Sequence, residues 1–200
     1  LAFPSHTFAI EDIGSRIAAI EKDEKEFDKI FASVASADAV LFATPVYYLL
    51  VPAQFKRFIE LVFLRNGRAD FFGKYAASLT TSIHFFDHTA NGYLHAVAED
   101  LGMHWTGSFM AKMDDLVKEE NQESLVRFGE DFFATAQAHP PLQRVYPPLP
   151  AQSFNYTPAG IPLPLDTSGK NVLVISDAAP GSNLEKMVSR MASCFGRNAS

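Results

Sequence analysis

The sequence predicts an α/β domain built on a parallel sheet, and three observations lead to this expectation. Short apolar runs alternate with amphipathic stretches along residues 7–138. The run 38–43 (DAVLFA) is almost wholly apolar, as a strand covered by helices on both faces should be. The stretch 23–35 carries a helical apolar stripe made of Phe27, Ile30, Phe31 and Val34. Strands alternating with helices of this length indicate right-handed βαβ units in a three-layer, doubly wound sheet.

Each element follows from its local pattern. We expect strands at 7–12, 38–43, 74–83 and 104–112, and helices at 23–35, 52–63, 89–101 and 121–138. Pro52 fits the first turn of its helix, where a missing N–H costs nothing. Gly102 should end the helix before it, and Asn121 should cap the last one.

Composition limits the classes of function. The chain has 200 residues, of which 48% are hydrophobic, and a net charge of −6 without a basic stripe, so nucleic acid and anionic membranes are poor partners. A single cysteine, Cys194, excludes an internal disulfide and a four-cysteine metal site within this chain. The most apolar window, 39–55, contains two prolines and is shorter than the roughly 18–20 residues of a membrane span. We expect a cytoplasmic protein, and its first residue, Leu1, suggests a window of a longer chain.

The chain divides into three parts. Residues 1–138 carry the alternating pattern, residues 139–169 are Pro-rich and are expected to be an extended linker, and residues 170–200 form another unit. That unit is predicted to hold a short apolar strand at 172–175, a loop at 177–183 and a helix from 184 to about 195.

The loop after the strand 38–43 is the first candidate site, because ligands bind at the carboxyl ends of strands in a doubly wound sheet. Its residues, Thr44, Pro45, Val46, Tyr47 and Tyr48, make a stiff aromatic segment with free backbone N–H and C=O groups expected at 46–48. Such a loop can press on a flat heteroaromatic ring and hydrogen-bond its polar edge. The alternative is that both tyrosines pack between loop and helix.

The second candidate site is Gly181-Ser182-Asn183, at the start of the last helix, with Ser176 at the end of the preceding strand. Hydroxyl, amide and N–H groups there meet the positive end of the helix dipole, which suits a phosphate. The same residues also form a capping box in which Glu185 is the third helical residue, and Asp177 adds an opposing charge.

The third candidate loop, 82–88, follows the strand 74–83. We expect Ser82, His84 and Phe85 to edge a ligand pocket, and Asp87 or Thr89 to cap the next helix. His84 and His88 are four residues apart, but no third ligand is evident, so we expect no metal site. The sequence shows no Ser-His-Asp or Cys-His spacing typical of nucleophilic catalysis, so we assign no catalytic side chain.

The stretches 37–48 (ADAVLFATPVYY) and 51–60 (VPAQFKRFIE) resemble the NAD(P)H-dependent FMN reductases and multimeric flavodoxin-like proteins. The resemblance covers about residues 7–138. It implies a flavodoxin-like sheet in the order 2-1-3-4-5 with FMN as the cofactor and NAD(P)H as co-substrate. It also implies that residues 45–48 contact the isoalloxazine and that the loop 82–85 flanks it. The flavin carries the chemistry in such proteins.

The resemblance has two departures. The family's first strand and phosphate loop should precede Leu1, yet residues 172–185 (VLVISDAAPGSNLE) resemble that missing unit, without its usual basic residue and with Leu184 where a threonine is common. Either a second flavodoxin-like domain begins there, or the chain is circularly permuted and this strand completes the first sheet, a hypothesis that fails if the strand is unpaired. Iron–sulfur relatives place cysteines between Ile10 and Asp28, and this chain has none there.

The leading function is therefore an FMN-dependent oxidoreductase that passes electrons from NAD(P)H to a quinone, a flavin or another small acceptor. The alternatives are a flavin-binding electron-transfer module without turnover, and a flavin-free scaffold or oligomerisation domain. Phospho-receiver signalling is disfavoured because Thr44 and Pro45 stand where the acceptor aspartate should be. Exposed aromatics near Tyr47 and Phe85 favour a homo-oligomer, a dimer or tetramer.

Overall fold

The computed structural model describes residues 8–83, 87–148, 150, 153–160, 165 and 168–195. The chain forms two compact units, residues 1–149 and 150–200. The first unit contains three strands, β1 (Ala39–Pro45), β2 (Tyr75–Ser82) and β3 (His104–Lys112). Its helices are α1 (Ile13–Lys22), α2 (Glu24–Ser36), α3 (Ala53–Leu64), α4 (Arg68–Phe71), α5 (Asp87–Asp100) and α6 (Glu119–Ala138). The second unit contains α7 (Asn183–Ala192).

The three strands form one parallel sheet in the order β1-β2-β3. The register runs from Ala39 opposite Tyr75 to Pro45 opposite Thr81, so β1 and β2 end together. The predicted α/β class with a parallel sheet is confirmed. The described residues supply three of the five strands that the order 2-1-3-4-5 requires.

The sheet is covered by helices on both faces, which makes three layers. Phe42 and Ala76 belong to the larger core, which they share with α1, α2, α3 and α5. Leu41 and Ala77, one position away on each strand, pack instead with the apolar face of α6. Successive residues of a strand point to opposite faces, so burial of both faces explains why β1 begins as a continuous apolar run, residues 39–43.

The predicted strand at 7–12 is wrong over its described part, residues 8–12, which have no regular structure. Asp12 instead caps α1, because its carboxylate accepts hydrogen bonds from the Ser15 N–H at 3.2 Å and the Ser15 hydroxyl at 2.7 Å. The helix then buries Ile13 and Ile20. The short alternation TFAIED predicts a strand, but its last residue, Asp12, instead serves as the cap of the helix that follows.

The remaining helices and strands of the first unit lie close to their predicted positions. The expected end of α5 is confirmed, because Gly102 adopts a φ of 84° and the Met103 N–H donates to the Ala98 carbonyl at 2.9 Å. The expected cap of α6 is wrong, since this helix begins at Glu119 and Asn121 lies inside its first turn. A 3₁₀ turn at Asp115–Val117 leads into α6 and starts it early.

The Pro-rich stretch begins as a strap anchored on the first unit. The strap comprises residues 140–146, and the Tyr75 hydroxyl donates to the Pro140 carbonyl at 2.6 Å. The N–H groups of Val145 and Tyr146 donate to the carboxylate of Glu99 at 2.8 and 2.6 Å. Glu99 is only 3% exposed, so the strap covers this carboxylate near the end of α5.

In the second unit, Ser182 caps α7, which ends two to three residues earlier than expected and is followed by a 3₁₀ turn. The predicted strand at 172–175 is not formed, although all four residues are described. Their side chains are between 39% and 89% exposed. The permuted arrangement and the second flavodoxin-like domain both need this segment as a strand, so neither is confirmed and both stay predictions.

No helix in the described part of the chain is both long and apolar enough to cross a membrane.

The anchored strap predicts an acid-sensitive contribution to stability. Burial raises the pKa of Glu99, but the N–H groups of Val145 and Tyr146 and the ring of His95 outweigh burial, and the net pKa lies below the ordinary 4.5. The carboxylate therefore stabilises the fold fully above about pH 4.5, and this contribution is lost as pH falls through the lowered value.

We expect Glu99→Gln to lower the free energy of unfolding by about 2 kcal/mol at pH 7, because hydrogen bonds to a charged acceptor contribute roughly 1.5–3 kcal/mol. Urea denaturation between about pH 3 and pH 7 measures this. The difference between wild type and variant should shrink toward the acid end. A difference that does not depend on pH would contradict the role of the charge.

Candidate cofactor site

The ends of the three strands form one edge, and the loops that follow them extend the hydrogen-bond ladder. The Val46 N–H donates to the Thr81 carbonyl at 2.8 Å, and the Met113 N–H donates to the Ser82 carbonyl at 2.8 Å. The predicted residues Thr44–Tyr48 and Ser82 are therefore brought to the same edge. This is the carboxyl end of the sheet, where ligands bind in open α/β folds.

The predicted loop 44–48 has a buried base and an exposed tip. Thr44 is buried, and its hydroxyl donates to the Pro45 carbonyl at 3.1 Å. Val46 packs against the larger core. Tyr47 is 65% exposed and Tyr48 is fully exposed, so the tyrosines do not pack between loop and helix. The alternative in which both rings are merely core residues is excluded for this conformation.

The tip of the loop is a strained reverse turn. The Tyr47 N–H donates to the Leu50 carbonyl at 2.8 Å, and the Leu50 N–H donates back at 3.2 Å. The two central residues, Tyr48 and Leu49, have φ values of 50° and 74°. Positive φ at both central positions is the pattern of a type I′ turn, which glycine and asparagine normally occupy. Backbone strain of this kind clusters at ligand-contacting sites.

The turn is able to contact a planar ligand. Its own hydrogen bonds use the N–H groups of Tyr47 and Leu50 and leave those of Tyr48 and Leu49 outside the turn ladder. The phenol rings of Tyr47 and Tyr48 and the half-exposed Leu49 supply apolar surface beside these groups. The free backbone groups predicted at 46 and 47 are corrected here, because their N–H groups bond to protein carbonyls.

Ser82 faces inward. It is 8% exposed, and its hydroxyl donates to a carboxylate oxygen of Asp87 at 3.3 Å. Its side chain therefore joins the end of β2 to the first turn of α5. The predicted site residues His84 and Phe85 lie outside the described residues.

A buried polar column runs along β2 behind Ser82. Ser78 and Thr80 are fully buried, and both bond to the amide of Asn91 on α5, with the Thr80 hydroxyl at 2.9 Å. The same amide donates to the Asp87 carbonyl at 2.9 Å. Asn91 and Asp87 thus fix the position of α5 against the strand end. Sequence reasoning treated Asp87 as a cap and missed Asn91, although the alternation of Ser78, Thr80 and Ser82 marks a polar strand face that needs partners.

The turn after β3 completes the edge. Met113 has a φ of 38°, and the Lys112 N–H donates to the carboxylate of Asp115 at 3.0 Å. This N–H, together with the ammonium of Lys118, lowers the pKa of Asp115. Among the described residues, no group of three or more His, Cys, Asp or Glu side chains is arranged to hold a metal ion.

The predicted phosphate loop lies in the second unit, and its polar groups are engaged internally. The Ser182 hydroxyl accepts from the Glu185 N–H at 3.1 Å, and the Glu185 carboxylate accepts from the Gly181 N–H. The Asn183 amide bonds to the backbone of Phe154 and Tyr156 at 2.8 Å each. The Ser176 hydroxyl accepts from the Ala178 N–H at 3.1 Å. This conformation contains the Ser182 half of the predicted capping box, whereas the Glu185 carboxylate bonds Gly181, one residue before the cap, because the Ser182 N–H donates to the Ala179 carbonyl.

An open parallel sheet with a strained aromatic turn at its strand ends is the arrangement of a ligand-binding α/β protein. Residues 7–113 match the model of the NADPH-dependent FMN reductases, which is more than half of the chain. The protein belongs to this family. It is an oxidoreductase that uses FMN and NAD(P)H.

The chain is also similar to parts of several solved structures. A flavodoxin, WrbA-like protein from Agrobacterium tumefaciens is 22% identical, with 56% of this chain and 74% of that chain covered and a TM-score of 0.48. An NADH:FMN oxidoreductase is 17% identical, with 62% and 65% covered and a TM-score of 0.49. An NAD(P)H:acceptor oxidoreductase from Paracoccus denitrificans is 20% identical, with 61% and 73% covered and a TM-score of 0.47. A comparison with curated proteins found no match.

The ring-binding part of FMN fits this edge, because the exposed turn provides aromatic surface and unused N–H groups. The fit does not extend to the phosphate in the described conformation, since Glu185 occupies the N–H of Gly181. FMN supplies hydride and electron transfer when it is bound. The residues of this chain bind and orient it.

We expect Tyr48→Gly to stabilise the protein and to weaken FMN binding. A non-glycine residue in the left-handed region costs roughly 1–2 kcal/mol, and the exposed ring of Tyr48 loses no packing, so the net gain should be about 1 kcal/mol. Thermal unfolding of the apoprotein and fluorescence titration with FMN measure the two effects.

Asn66→Gly is the matched control, because Asn66 also has a positive φ, of 55°, but asparagine tolerates it. This variant should change stability little and leave FMN binding intact. Loss of stability in Tyr48→Gly would contradict the strain assigned to the turn.

Proposed function

We propose that the exposed turn Tyr47–Leu50, with Thr44 and Pro45 behind it, holds the isoalloxazine of FMN at the carboxyl edge of the sheet. The observation that carries this proposal is the strain of the turn. Two large residues adopt left-handed backbone at its tip, where Tyr48 is fully exposed and Leu49 is 45% exposed, and backbone strain of this kind is typical of ligand-contacting sites. Ser82, at the end of β2, would flank the ring, and the same role for His84 and Phe85, which lie outside the described residues, stays a prediction.

The reaction we propose is hydride transfer from NAD(P)H through the flavin to a small acceptor, a quinone or free flavin. The chain positions the ring, and no acid–base side chain of the described edge is required for the transfer. The neighbour from Paracoccus denitrificans is described as an NAD(P)H:acceptor oxidoreductase. An open edge with one exposed aromatic turn suits a flat acceptor that approaches the ring from solvent.

The test is reconstitution with FMN followed by NADPH. Wild type should retain a flavin absorption band after gel filtration and lose it on anaerobic addition of NADPH, and a quinone should restore it. Tyr48→Ala should bind FMN at least several-fold more weakly, because an aromatic stacking contact contributes roughly 0.5–1.5 kcal/mol.

Phe72→Ala provides the matched control for this test. Phe72 is also an exposed aromatic residue, 71% accessible, but it precedes β2 and lies toward the other end of the sheet. Its FMN affinity should equal that of wild type. Equal losses in both variants, or wild type that retains no flavin, would overturn the proposed site.

The assignment of Ser176, Gly181, Ser182 and Asn183 to the phosphate stays a prediction. Comparing the dissociation constants of FMN and riboflavin tests it. If the loop binds the phosphate, FMN should bind more tightly and Ser182→Ala should abolish the difference. Equal affinities would leave the loop as a helix cap alone.

Two further expectations also stay predictions. A homo-oligomer would cover the fully exposed ring of Tyr48, and light scattering with and without FMN would detect it. A second flavodoxin-like domain that begins at residue 170 would bury the apolar side chains of 172–175 and of α7, and hydrogen exchange on the full-length protein would show whether these amides are protected.

A further inference from the structure

Asp87 is a buried carboxylate at the edge where the flavin is proposed to bind. It is the first residue of α5 and is 5% exposed. One oxygen accepts the Ser82 hydroxyl at 3.3 Å, and the other accepts the N–H of His88 at 3.2 Å. Asp87 therefore contacts Ser82 at the end of β2 directly.

Among the described residues, the side chain of Asp87 has polar partners but no ion pair. Its two partners are a hydroxyl and a peptide N–H, which are neutral dipoles, and the ion pairs of the described residues do not include it. The N-terminus of a 14-residue helix favours a negative charge at this place. A buried charge with few counter-charges acts over a longer distance than one in water, because the interior screens it less.

We propose that Asp87 is a positioning residue that holds Ser82 and lowers the reduction potential of the bound flavin. The proposal rests on the function proposed above, which places the ring at this edge. Reduction by NAD(P)H transfers a hydride, and one proton from solvent completes the balance, giving reduced FMN and NAD(P)⁺. Before that proton is taken up, the transferred hydride gives the ring one negative charge, so a fixed carboxylate at the same edge would disfavour the reduced state.

The same helix contains a control for the effect of charge. Glu99 is also a buried carboxylate, 3% exposed, and lies twelve positions farther along α5, about 18 Å away at 1.5 Å per residue. Asp87→Asn and Glu99→Gln each remove one buried negative charge from α5. Only Asp87 lies at the strand ends, so only Asp87→Asn should change the reduction potential of the flavin.

The experiment measures the reduction potential of FMN-loaded wild type and of both variants, by spectroscopic equilibration with a reference dye at pH 7. Asp87→Asn should favour reduced flavin about tenfold more than wild type, a positive shift of ~30 mV for a two-electron couple. Glu99→Gln should leave the potential unchanged. Ser82→Ala, which keeps the charge and removes the tether, should weaken FMN binding several-fold with a potential close to that of wild type.

The outcomes separate this inference from the proposed function. If wild type binds FMN through Tyr48 and the potential of Asp87→Asn equals that of wild type, the inference is wrong and the proposed site stands. Equal shifts in Asp87→Asn and Glu99→Gln would also overturn it, because they would show an effect of net charge. If Asp87→Asn does not fold, Asp87→Ser makes the same test, since serine is favoured at helix starts and can bond Ser82.

Discussion

The central constraint on this fold is that three hydroxyl-bearing residues of the middle strand face a helix layer from which water is excluded. Ser78, Thr80 and Ser82 alternate along β2 toward α5, and a buried hydroxyl without a partner costs free energy. Asn91 satisfies the first two and Asp87 the third. These contacts require one rotation and one axial position of α5, because the amide and the carboxylate must each meet their own hydroxyl. The positions of the strand ends and of the first turn of α5 are thereby coupled, and the candidate site lies on that coupled edge.

Some of these elements could be predicted from the sequence, and others could not. Strands β1–β3 and helices α2, α3, α5 and α6 bury apolar stripes, and periodicity identified them. The cap of α6 was misplaced because Asn121 has a strong cap preference, while the 3₁₀ turn before it starts the helix two residues earlier. The segment 172–175 has the composition of a buried strand, but composition cannot supply the neighbouring strand that makes it one. The predicted loop after the first strand exists, but it begins at Val46 because β1 extends through Thr44 and Pro45. The left-handed backbone of Tyr48 and Leu49 could not be predicted, since tyrosine and leucine rarely adopt positive φ.

That failure of local propensity is informative about the turn itself. Natural sequences agree with their backbone at most positions, and disagreement concentrates where another requirement acts. A Gly-containing turn would close the loop more cheaply than Tyr48-Leu49 does, and it would present no apolar surface. The strain is sustained by the base of the loop, where Thr44 is buried, Val46 packs into the core and the Val46 N–H bonds to β2. The rigid base therefore holds the tip in a conformation that the tip would not adopt alone.

The distribution of charge separates the two demands that FMN makes on a protein. Helix N-termini are the natural places for a phosphate, but α5 begins with a buried carboxylate, so the first turn nearest the aromatic loop repels an anion. The start of α7 has the expected hydroxyl and amide groups, yet Glu185 already occupies the N–H of Gly181. A phosphate could bind there only by displacing that carboxylate. The described edge therefore offers an exposed aromatic turn and a buried negative charge, which suit the ring site proposed here better than they suit the anionic tail of the cofactor.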